Sequence, residues 1–435
     1  MRLAAIGIAT LASSLVWSAV HARFGFQAFS TVYGVQFVLY VLALLSVAQQ
    51  AGERPWSARR ELAVILGVAL ALRVVLVWQA PVLSDDVYRY VWDGKVQAAG
   101  INPYRFIPED PRLASLRDAE VFPYINRRAY APTIYPPGAQ IVFLVAHCIG
   151  GETVLGIKLA MVGCDLATVG MLVVLLRRLG EDARRVVVYA WHPLVCWEVA
   201  QSGHIDAAAI ALTVGAVLAA NRSRRALSGA LLGAAALVKG YPLLLAPAFA
   251  RRGGVRFVAA LAATFLLYVP YAGVGWRVLG FLPTYVHEEG IDTGDRFVLL
   301  RLARLAVPFP TWLYVGLVAL AFAAVSVRAM RRSAPDTRLE ARDAATLAAM
   351  ALALGTPHYA WYALWLIALV TVAPRPAWLY LASASALLYY APRAYGARLV
   401  FDAVQFVPLL ALLAVEASRK AARMSLTAGD VSGGC

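Results

Sequence analysis

Long apolar runs, separated by short segments rich in arginine, extend over most of the chain. The longest cover residues 3–20, 29–48, 61–80, 153–176, 257–275, 311–327 and 399–415, and shorter or interrupted runs fall at 138–149, 186–220, 226–250, 344–355, 362–374 and 377–391. An α-helix needs about 20 apolar residues to cross a bilayer, and unbroken runs of Ala, Leu and Val favour helices over a transmembrane barrel. The pattern predicts an all-α, polytopic transmembrane helical bundle of about 11–13 spans, some of them short or broken.

The composition agrees with a membrane protein, since 61% of the residues are hydrophobic and only 15% are charged. The net charge of +15 comes largely from arginines between the apolar runs, where the positive-inside rule places them. We therefore expect membrane lipids as partners and no nucleic acid. The four cysteines show no metal-ligand spacing and imply no disulfide framework. The expected location is the inner (plasma) membrane.

The arginines also predict an orientation. Arg54, Arg59 and Arg60 follow the second run, which places this linker and both termini in the cytoplasm. The third run then exits, so residues 81–136 form a large extracytoplasmic loop, whose aromatic residues indicate ordered interfacial helices. We expect residues 1–420 to form one domain and residues 421–435 to be a disordered cytoplasmic tail.

Two adjacent acids, Asp85 and Asp86, stand just after the third run. If the segment is helical, Asp86 shares a face with Arg89 and Tyr90, and Asp85 points elsewhere. A purely structural alternative is that Ser84 caps the helix and both aspartates complement its positive N-terminal dipole. Capping needs only one acid, so the pair predicts a functional site.

Ionisable residues also occur inside the apolar runs. Lys158 and Asp165 lie two turns apart in the run 153–176, and they must face the bundle interior or a wet cavity and find partners there. Lys239 lies in the run 226–250, which is too short to cross the bilayer twice. We therefore predict a pair of short or broken helices around Lys239, an arrangement tolerated where it lines a cavity.

By this topology, nearly all polar motifs reach the extracytoplasmic side. They are Asp85-Asp86, Tyr135-Pro136-Pro137, Glu198 with His204 and Asp206, and His358-Tyr359 with Trp361. The chain also contains the motifs Tyr88-Arg89-Tyr90, Gly100-Ile101-Asn102-Pro103-Tyr104, Gly203-His204-Ile205-Asp206, Lys239-Gly240-Tyr241-Pro242 and Pro357-His358-Tyr359. Together, across roughly residues 60–370, they resemble the GT-C superfamily of integral membrane glycosyltransferases. The closest pattern is that of bacterial mannosyltransferases that use polyprenyl-phosphate mannose.

The resemblance implies transfer of a hexose, with mannose expected, from a polyprenyl-phosphate sugar to an acceptor hydroxyl, with inversion, on the outer face of the membrane. Asp85 is then the catalytic base and Asp86 its partner, or the reverse. A carboxylate is ionised at neutral pH and can take the hydroxyl proton, and the phosphate leaves as a stable anion. The expected donor- or acceptor-binding residues are Arg89, Tyr90, Tyr104, Tyr135, Glu198, His204, Asp206, Lys239, His358 and Tyr359.

Structural roles remain open for several of these residues. Lys239 suits a phosphate but also a snorkelling lysine at a helix break. Arg89 suits a phosphate but also an i,i+4 pair with an aspartate of its own helix. His204 and Asp206 cannot share a helix face, so we expect hydroxyl binding or a structural histidine there rather than a metal site.

No cofactor is certain from the sequence. Asp85 and Asp86 are the residues that would hold a divalent cation, Mg²⁺ or Mn²⁺, because adjacent carboxylates supply the oxygen ligands these ions prefer. The expected partners are the polyprenyl-phosphate sugar donor and a glycan, lipid or protein acceptor.

Two other functions fit parts of the pattern. A transporter or flippase for lipid-linked sugars or other small molecules would place its acids near the membrane midplane and show repeated halves, which we do not find in the sequence. An O-antigen-type polymerase or ligase would depend on arginine and histidine in late loops rather than on Asp85 and Asp86.

Overall fold

Helices make up 79% of the computed structural model, which describes residues 2–49, 55–331, 336–390 and 398–432, and these residues contain no strand. The α-helices are α1 Arg2–Gln49, α2 Pro55–Val77, α3 Asp86–Ala98, α4 Pro137–Gly150, α5 Val154–Arg178, α6 Val187–Ala190, α7 Pro193–Val195, α8 Asp206–Asn221, α9 Arg225–Val238, α10 Ala246–Ala263, α11 Leu282–Glu288, α12 Val298–Arg304, α13 Thr311–Arg331, α14 Thr337–Gly355, α15 Leu364–Val372, α16 Pro376–Ala384 and α17 Arg398–Ser432. The predicted all-α fold is confirmed.

Short 3-10 and π-helical turns join these helices. They are Pro111–Leu116, Phe122–Tyr124, Ala183–Val186, Cys196–Gln201, Tyr241–Leu245, Thr264–Leu279, Ala360–Ala363 and Ser385–Tyr389. The predicted tail, residues 421–435, is helical as far as Ser432, and its side chains and last three residues lie outside the described part of the chain.

Six segments of the described chain are long and apolar enough to cross a membrane. They are Arg2–Val20, Gly25–Gln49, Val154–Arg178, Gly254–Glu288, Thr311–Arg331 and Leu399–Lys420. The first two belong to α1, which is interrupted at Gly25 by a backbone φ of 50° that favours glycine. Shorter apolar helices, such as Asp206–Asn221 and Arg225–Val238, are also present, and the predicted total of about 11–13 spans stays a prediction.

A buried ion pair joins α2 to α5. Arg73 Nε donates to Asp165 Oδ2 at 2.8 Å, and neither side chain is exposed. The Tyr189 hydroxyl donates to the other carboxylate oxygen at 2.7 Å. Lys158 is also buried, and its ammonium donates to the carbonyl of Gln79, just after α2. Lys158 and Asp165 therefore have the polar partners that their depth in the apolar run requires.

Arginines gather at the far end of α2 from Asp85. Arg184 Nη1 lies 2.7 Å from a carboxylate oxygen of Glu61, in the first turns of α2. Arg225, at the start of α9, lies 3.3 Å from Glu340 in the first turn of α14. The segments between apolar runs thus contact one another at one end of the bundle, and the paired aspartates lie at the other.

The loop 81–136 is held closely on the bundle by α3 and α4. The Tyr90 ring stacks on Phe143 with centroids 4.7 Å apart. Gly94 allows this approach, since a Cβ there would lie 2.7 Å from the Phe143 carbonyl oxygen. Arg89 Nε donates to Asp93 at 2.8 Å, and Arg89 Nη1 donates to the Ala131 carbonyl at 3.1 Å, which ties the end of the loop to α3.

The run 226–250 breaks where the sequence predicts. Helix α9 ends at Val238, and Lys239 is extended, with φ −140° and ψ 133°. Pro242 lacks the N–H that would continue α9, so the chain forms a 3-10 turn before α10. The end of α9 packs closely on Gly138, where a Cβ would meet Leu237 at 2.7 Å, and this packing brings Lys239 beside Tyr135.

Candidate active site

A cavity of about 710 Å³, here called the main cavity, lies beside the first turn of α3. Its walls come from the loop 81–136, the break between α9 and α10, the start of α11 and the segment after α14. This volume is within the range of small-molecule sites. The predicted site residues that line it are Asp85, Asp86, Arg89, Tyr135, Lys239, His358 and Tyr359.

Asn126 links the two aspartates. Its Nδ2 donates to Asp85 Oδ1 at 2.9 Å and to Asp86 Oδ1 at 2.8 Å. Asp86 is the first residue of α3, and its N-cap is Asp85, whose side chain makes no capping hydrogen bond, so the expectation that Ser84 caps this helix is wrong. Ser84 Oγ instead accepts from the Asp86 backbone N–H at 3.2 Å. One side-chain amide therefore holds both carboxylates side by side at the cavity wall.

The two carboxylates face different surroundings. Asp85 is exposed, whereas Asp86 is half-buried. Burial raises the pKa of the Tyr90 and Tyr135 hydroxyls, and the nearby Asp86 charge raises both further. The Asp85 charge instead contributes to a rise in the pKa of Tyr88, whose side chain is partly exposed and whose pKa is raised mainly by burial. Asp86 is therefore the acid that faces the tyrosines of the interior.

Lys239 brings a cation to the cavity wall at the break between α9 and α10. Its Nζ lies 3.2 Å from Asp206 Oδ2, and the Tyr241 hydroxyl donates to Asp206 Oδ1 at 3.2 Å. The ammonium also lies 5.3 Å from the ring centroid of Tyr362 and 5.8 Å from that of Tyr135. A buried carboxylate and two aromatic rings fix the lysine tip at the surface of the cavity.

A second cation, Arg127, lines the cavity next to Asn126. Its Nε donates to Glu288 Oε2 at 2.8 Å. Its backbone φ is 52°, an uncommon value for a residue other than glycine, so the surrounding contacts determine where this side chain points. The ion pair joins the loop 81–136 to the end of α11.

His358 and Tyr359 line the main cavity from the segment after α14. His358 Nδ1 lies 3.3 Å from Glu289 Oε2, and Arg296 Nη1 lies 2.9 Å from the same oxygen. Burial favours the protonated form of Glu289, but the hydrogen bond from His358 and the charge of Arg296 outweigh it and lower its pKa. The Tyr359 ring stacks on Trp361 with centroids 4.4 Å apart.

Five predicted site residues lie behind the walls instead of lining the cavity. They are Tyr90, Tyr104, Glu198, His204 and Asp206, and each is buried. The Tyr104 hydroxyl donates to the Tyr135 carbonyl at 2.6 Å. His204 Nε2 lies 3.2 Å from Glu198 Oε2, and its ring stacks on Trp361 at 4.2 Å. These contacts support residues that line the cavity, and direct substrate binding by the five stays a prediction.

Of the two roles that the sequence left open for Arg89, the structure shows the ion pair, and phosphate binding stays a prediction. It lines the main cavity, and it also forms the i,i+4 ion pair with Asp93. Asp93 Oδ2 accepts from Gln140 at 2.9 Å and also accepts from Thr133, so the pair belongs to a buried polar network. With both Nε and Nη1 engaged, Arg89 is less free to meet a phosphate than Lys239.

Sequence reasoning did not single out Asn126 or Arg127. Asn126 is 41 positions from Asp85 in the chain, and no periodicity links the two. The available signal was the length and aromatic content of the loop 81–136, which indicates order but does not say which polar side chains turn inward.

No group of three or more His, Cys, Asp or Glu side chains within the described ranges is placed to hold a metal ion. Asp85 and Asp86 nevertheless fit Mg²⁺, which can use one or two carboxylates together with substrate phosphate oxygens and water. The Asn126 amide hydrogens point at one oxygen of each carboxylate, so an ion bound at those oxygens would have to displace them. A requirement for a divalent cation stays a prediction.

Comparison with known proteins gives two matches. Residues 2–252, more than half of the chain, match a family model described as "Alpha-(1->6)-mannopyranosyltransferase, N-terminal domain". The chain is also 29% identical over 167 residues to a polyprenol-phosphate-mannose-dependent alpha-(1-2)-phosphatidylinositol pentamannoside mannosyltransferase of Mycolicibacterium smegmatis. That match covers 38% of this chain and only 40% of the relative. No solved structure matches the chain significantly.

Proposed function

Because this chain belongs to the alpha-(1->6)-mannopyranosyltransferase family, we propose that it transfers mannose from a polyprenyl-phosphate donor to an acceptor hydroxyl. The resemblance to membrane mannosyltransferases noted in the sequence is confirmed by the family match. The same match does not favour a transporter, a flippase or an O-antigen-type polymerase or ligase.

One observation carries the proposal: a single cavity contains two carboxylates bridged by Asn126 and, on another wall, Lys239. Mannosyl transfer needs a base for the acceptor hydroxyl and positive charge for the departing phosphate. The main cavity offers both. Phe281 and Leu282, which line it at the start of α11, provide apolar surface suited to an isoprenoid chain.

The acceptor oxygen attacks the anomeric carbon while the bond from that carbon to the phosphate oxygen breaks. The electron pair of that bond leaves with the polyprenyl phosphate, and the hydroxyl proton goes to a carboxylate. Of the two assignments that the sequence left open, the half-buried position of Asp86 beside the tyrosines favours Asp86 as the base and exposed Asp85 as its partner. Attack opposite the leaving group inverts the anomeric centre.

Lys239 is the residue that we assign to the donor phosphate. An ammonium is a compact point charge suited to phosphate, and Asp206 and two aromatic rings hold this one at the cavity wall. Arg127 supplies a second positive charge on the side of the aspartates. If Asp85 and Asp86 bind a divalent cation, it would supply further charge for the phosphate.

We propose that the main cavity opens to the extracytoplasmic side of the inner membrane and that both termini are cytoplasmic. The arginines near Glu61 and Glu340 lie at the opposite end of the bundle from Asp85, as the positive-inside rule expects if that end is cytoplasmic. The acceptor would be a glycan or a glycolipid. For the relative from Mycolicibacterium smegmatis, the name gives a phosphatidylinositol mannoside.

The test is transfer by the purified protein in detergent with radiolabelled polyprenyl-phosphate mannose. Polyprenyl-phosphate glucose and GDP-mannose serve as control donors, and each reaction is repeated with a chelator. We expect transfer from the lipid-linked mannose and none from the nucleotide sugar. Transfer from GDP-mannose alone, or from no lipid-phosphate sugar, would exclude the proposed function.

A further inference from the structure

A second cavity of about 380 Å³, here called the side cavity, adjoins the main cavity. The two share His358, Tyr359 and Leu388 as lining residues. These three side chains therefore form the partition between the cavities. The mechanism above does not use the side cavity, although the motif Pro357-His358-Tyr359 contributes to its lining.

The partition is held in a defined position. Thr356, which ends α14 just before it, has a backbone φ of 36°, a strained value for a β-branched residue. The Thr356 hydroxyl donates to the Arg296 carbonyl at 2.8 Å, and the Val298 N–H donates to that hydroxyl at 3.3 Å. The turn before His358 is thus bound to the start of α12. Such strain persists only where surrounding contacts determine it, as is common at ligand sites.

Polar residues on one face of α17 form another wall of the side cavity. Asp402 and Gln405, about one turn apart, line it, and both are partly buried. Between them on the helix, Val404 is 46% exposed and faces outward. This part of α17 lies in the candidate span Leu399–Lys420, where inward-facing ionisable residues generally mark a substrate path or a polar cavity.

The charges of the side cavity are compensated within the protein. Arg301 Nη2 donates to Asp402 Oδ2, and Arg296 pairs with Glu289 at 2.9 Å. A phosphate in the side cavity would meet the Asp402 carboxylate, whereas a neutral ligand adds no charge. A sugar hydroxyl can accept a hydrogen bond from a guanidinium and donate one to a carboxylate or an amide oxygen. Arg301, Asp402 and Gln405 supply these three groups in the side cavity. Phe401 adds an aromatic wall against which a sugar ring can pack.

The side cavity also lies in a different part of the chain from the paired acids. Every residue that lines it falls between Arg296 and Gln405. The aspartates and Lys239 lie within residues 2–252, which match the family model. The two matched descriptions share mannosyl transfer but differ in the linkage formed. If the main cavity binds the donor and the side cavity binds the acceptor, related proteins can share the mannosyl donor and still differ in the linkage that they form.

We propose that the side cavity binds the acceptor as a neutral, polyhydroxylated sugar unit and presents its hydroxyl past His358 and Tyr359 to Asp86. This inference rests on the proposed mannosyl transfer and names the place and the chemical class of the acceptor. Asp402 and Gln405 are acceptor-binding residues, and the donor stays in the main cavity.

The test compares Asp402→Asn and Gln405→Ala with Val404→Ala, a control on the outward face of the same helix. Methyl α-mannobioside is the acceptor probe, because it carries no alkyl chain that a detergent micelle would absorb. We expect the KM for the mannobioside to rise about 5- to 10-fold in both inward variants, since Gln405→Ala removes a hydrogen-bonding group and Asp402→Asn replaces a charged acceptor by a weaker neutral one. The donor KM of both variants and all constants of the Val404→Ala protein should match the wild type.

Either of two kinetic results would overturn the inference. One is an unchanged mannobioside KM in both inward variants. The other is a rise in donor KM with no change for the acceptor, which would assign the side cavity to the carrier lipid.

A binding measurement separates this inference from the proposed function. Saturation-transfer NMR detects methyl α-mannobioside on the Asp86→Asn protein, in which transfer is blocked. We expect a signal that weakens when Gln405→Ala or Asp402→Asn is added and persists when Val404→Ala is added. The same signal in all these proteins would reject the side cavity as the binding place. Suppose that the signal weakens only in the inward variants and that the wild type transfers no mannose. This result would reject the proposed function, and the side cavity would still be a sugar-binding site.

Discussion

The Lys239 ammonium lies 3.2 Å from the carboxylate of Asp206, and the aspartate is fully buried whereas the lysine reaches the wall of the main cavity. The pair explains how a lysine at a helix break is held in place for a ligand. It also explains why Asp206 belongs to the site although it does not line the cavity. In the proposed function, Asp206 orients the cation and Lys239 meets the donor phosphate.

We expect Lys239→Met to raise the donor KM roughly 10- to 100-fold, because a hydrogen bond to a charged group contributes about 1.5–3 kcal/mol. Lys239→Arg should raise the donor KM less than Lys239→Met does, because it keeps a positive charge. Asp206→Asn should raise the donor KM by an intermediate factor, because it removes the carboxylate that holds the lysine. Lys95→Met is the matched control, since Lys95 pairs with Asp118 and Glu152 and does not line the cavity. An unchanged donor KM in Lys239→Met would contradict the assignment.

Asn126 should control the alignment of the two acids. We expect Asn126→Ala to lower kcat about 10-fold, because it removes the hydrogen bonds to both carboxylates. The KM for the sugar donor should change little, because Lys239, the residue assigned to the phosphate, is retained. Asn126→Asp should lower kcat further, since a third carboxylate would repel the other two. Asn221→Ala, which changes an asparagine that contacts Arg178 at the arginine-rich end, is the control. Equal losses in both alanine variants would show that Asn126 has no special role.

The Arg73–Asp165 pair should stabilise the fold rather than take part in catalysis. Removing one partner leaves a buried charge, which costs about 3–5 kcal/mol. Arg73→Met and Asp165→Leu should therefore each lower the thermal midpoint measured in detergent. The double variant should recover much of the loss, because no charge stays unpaired. A double variant whose loss equals the sum of the two single losses would argue against a direct pair.

Glu289 gives a prediction for pH. Its pKa in the folded protein is lowered below the usual 4.5, so the stabilisation it provides is complete above that pH and is lost as the pH falls through the folded value. The difference in melting temperature between wild type and Glu289→Gln should be constant near neutral pH and shrink below about pH 4.5. A difference that stays constant down to pH 3 would mean that His358 and Arg296 do not stabilise the ionised form.

The sequence was sufficient for the fold class and for a break around Lys239, because both follow from the length of the apolar runs. It also brought Asp86, Tyr135, Lys239 and His358 to one site, by a resemblance that rests on motif order. It did not distinguish residues that line the cavity from those behind it. His204 and Tyr135 both belong to polar motifs, and the sequence gives no reason to separate them. In the structure, His204 is buried behind Trp361, whereas Tyr135 lines the main cavity.

The contribution of Asn126 could not be predicted for a different reason. Its role depends on a contact between residues 41 positions apart, separated by α3 and the irregular chain that follows it, so no single periodicity links the two. Arg127 is similar, since its side chain reaches the cavity through a backbone conformation that its residue type does not favour. Loops that carry functional residues are the part of a sequence in which local patterns are least informative.

The central claim is that Asp86 removes the proton of the acceptor hydroxyl while Lys239 meets the phosphate. Its most direct test is the single-turnover rate of mannosyl transfer from polyprenyl-phosphate mannose by wild type, Asp85→Asn and Asp86→Asn, with donor binding measured in parallel. We expect Asp86→Asn to lower the rate by at least about 100-fold with donor binding retained, as loss of a general base requires, and Asp85→Asn to lower it by about 10-fold or less. An Asp86→Asn protein that transfers mannose at close to the wild-type rate would contradict the account.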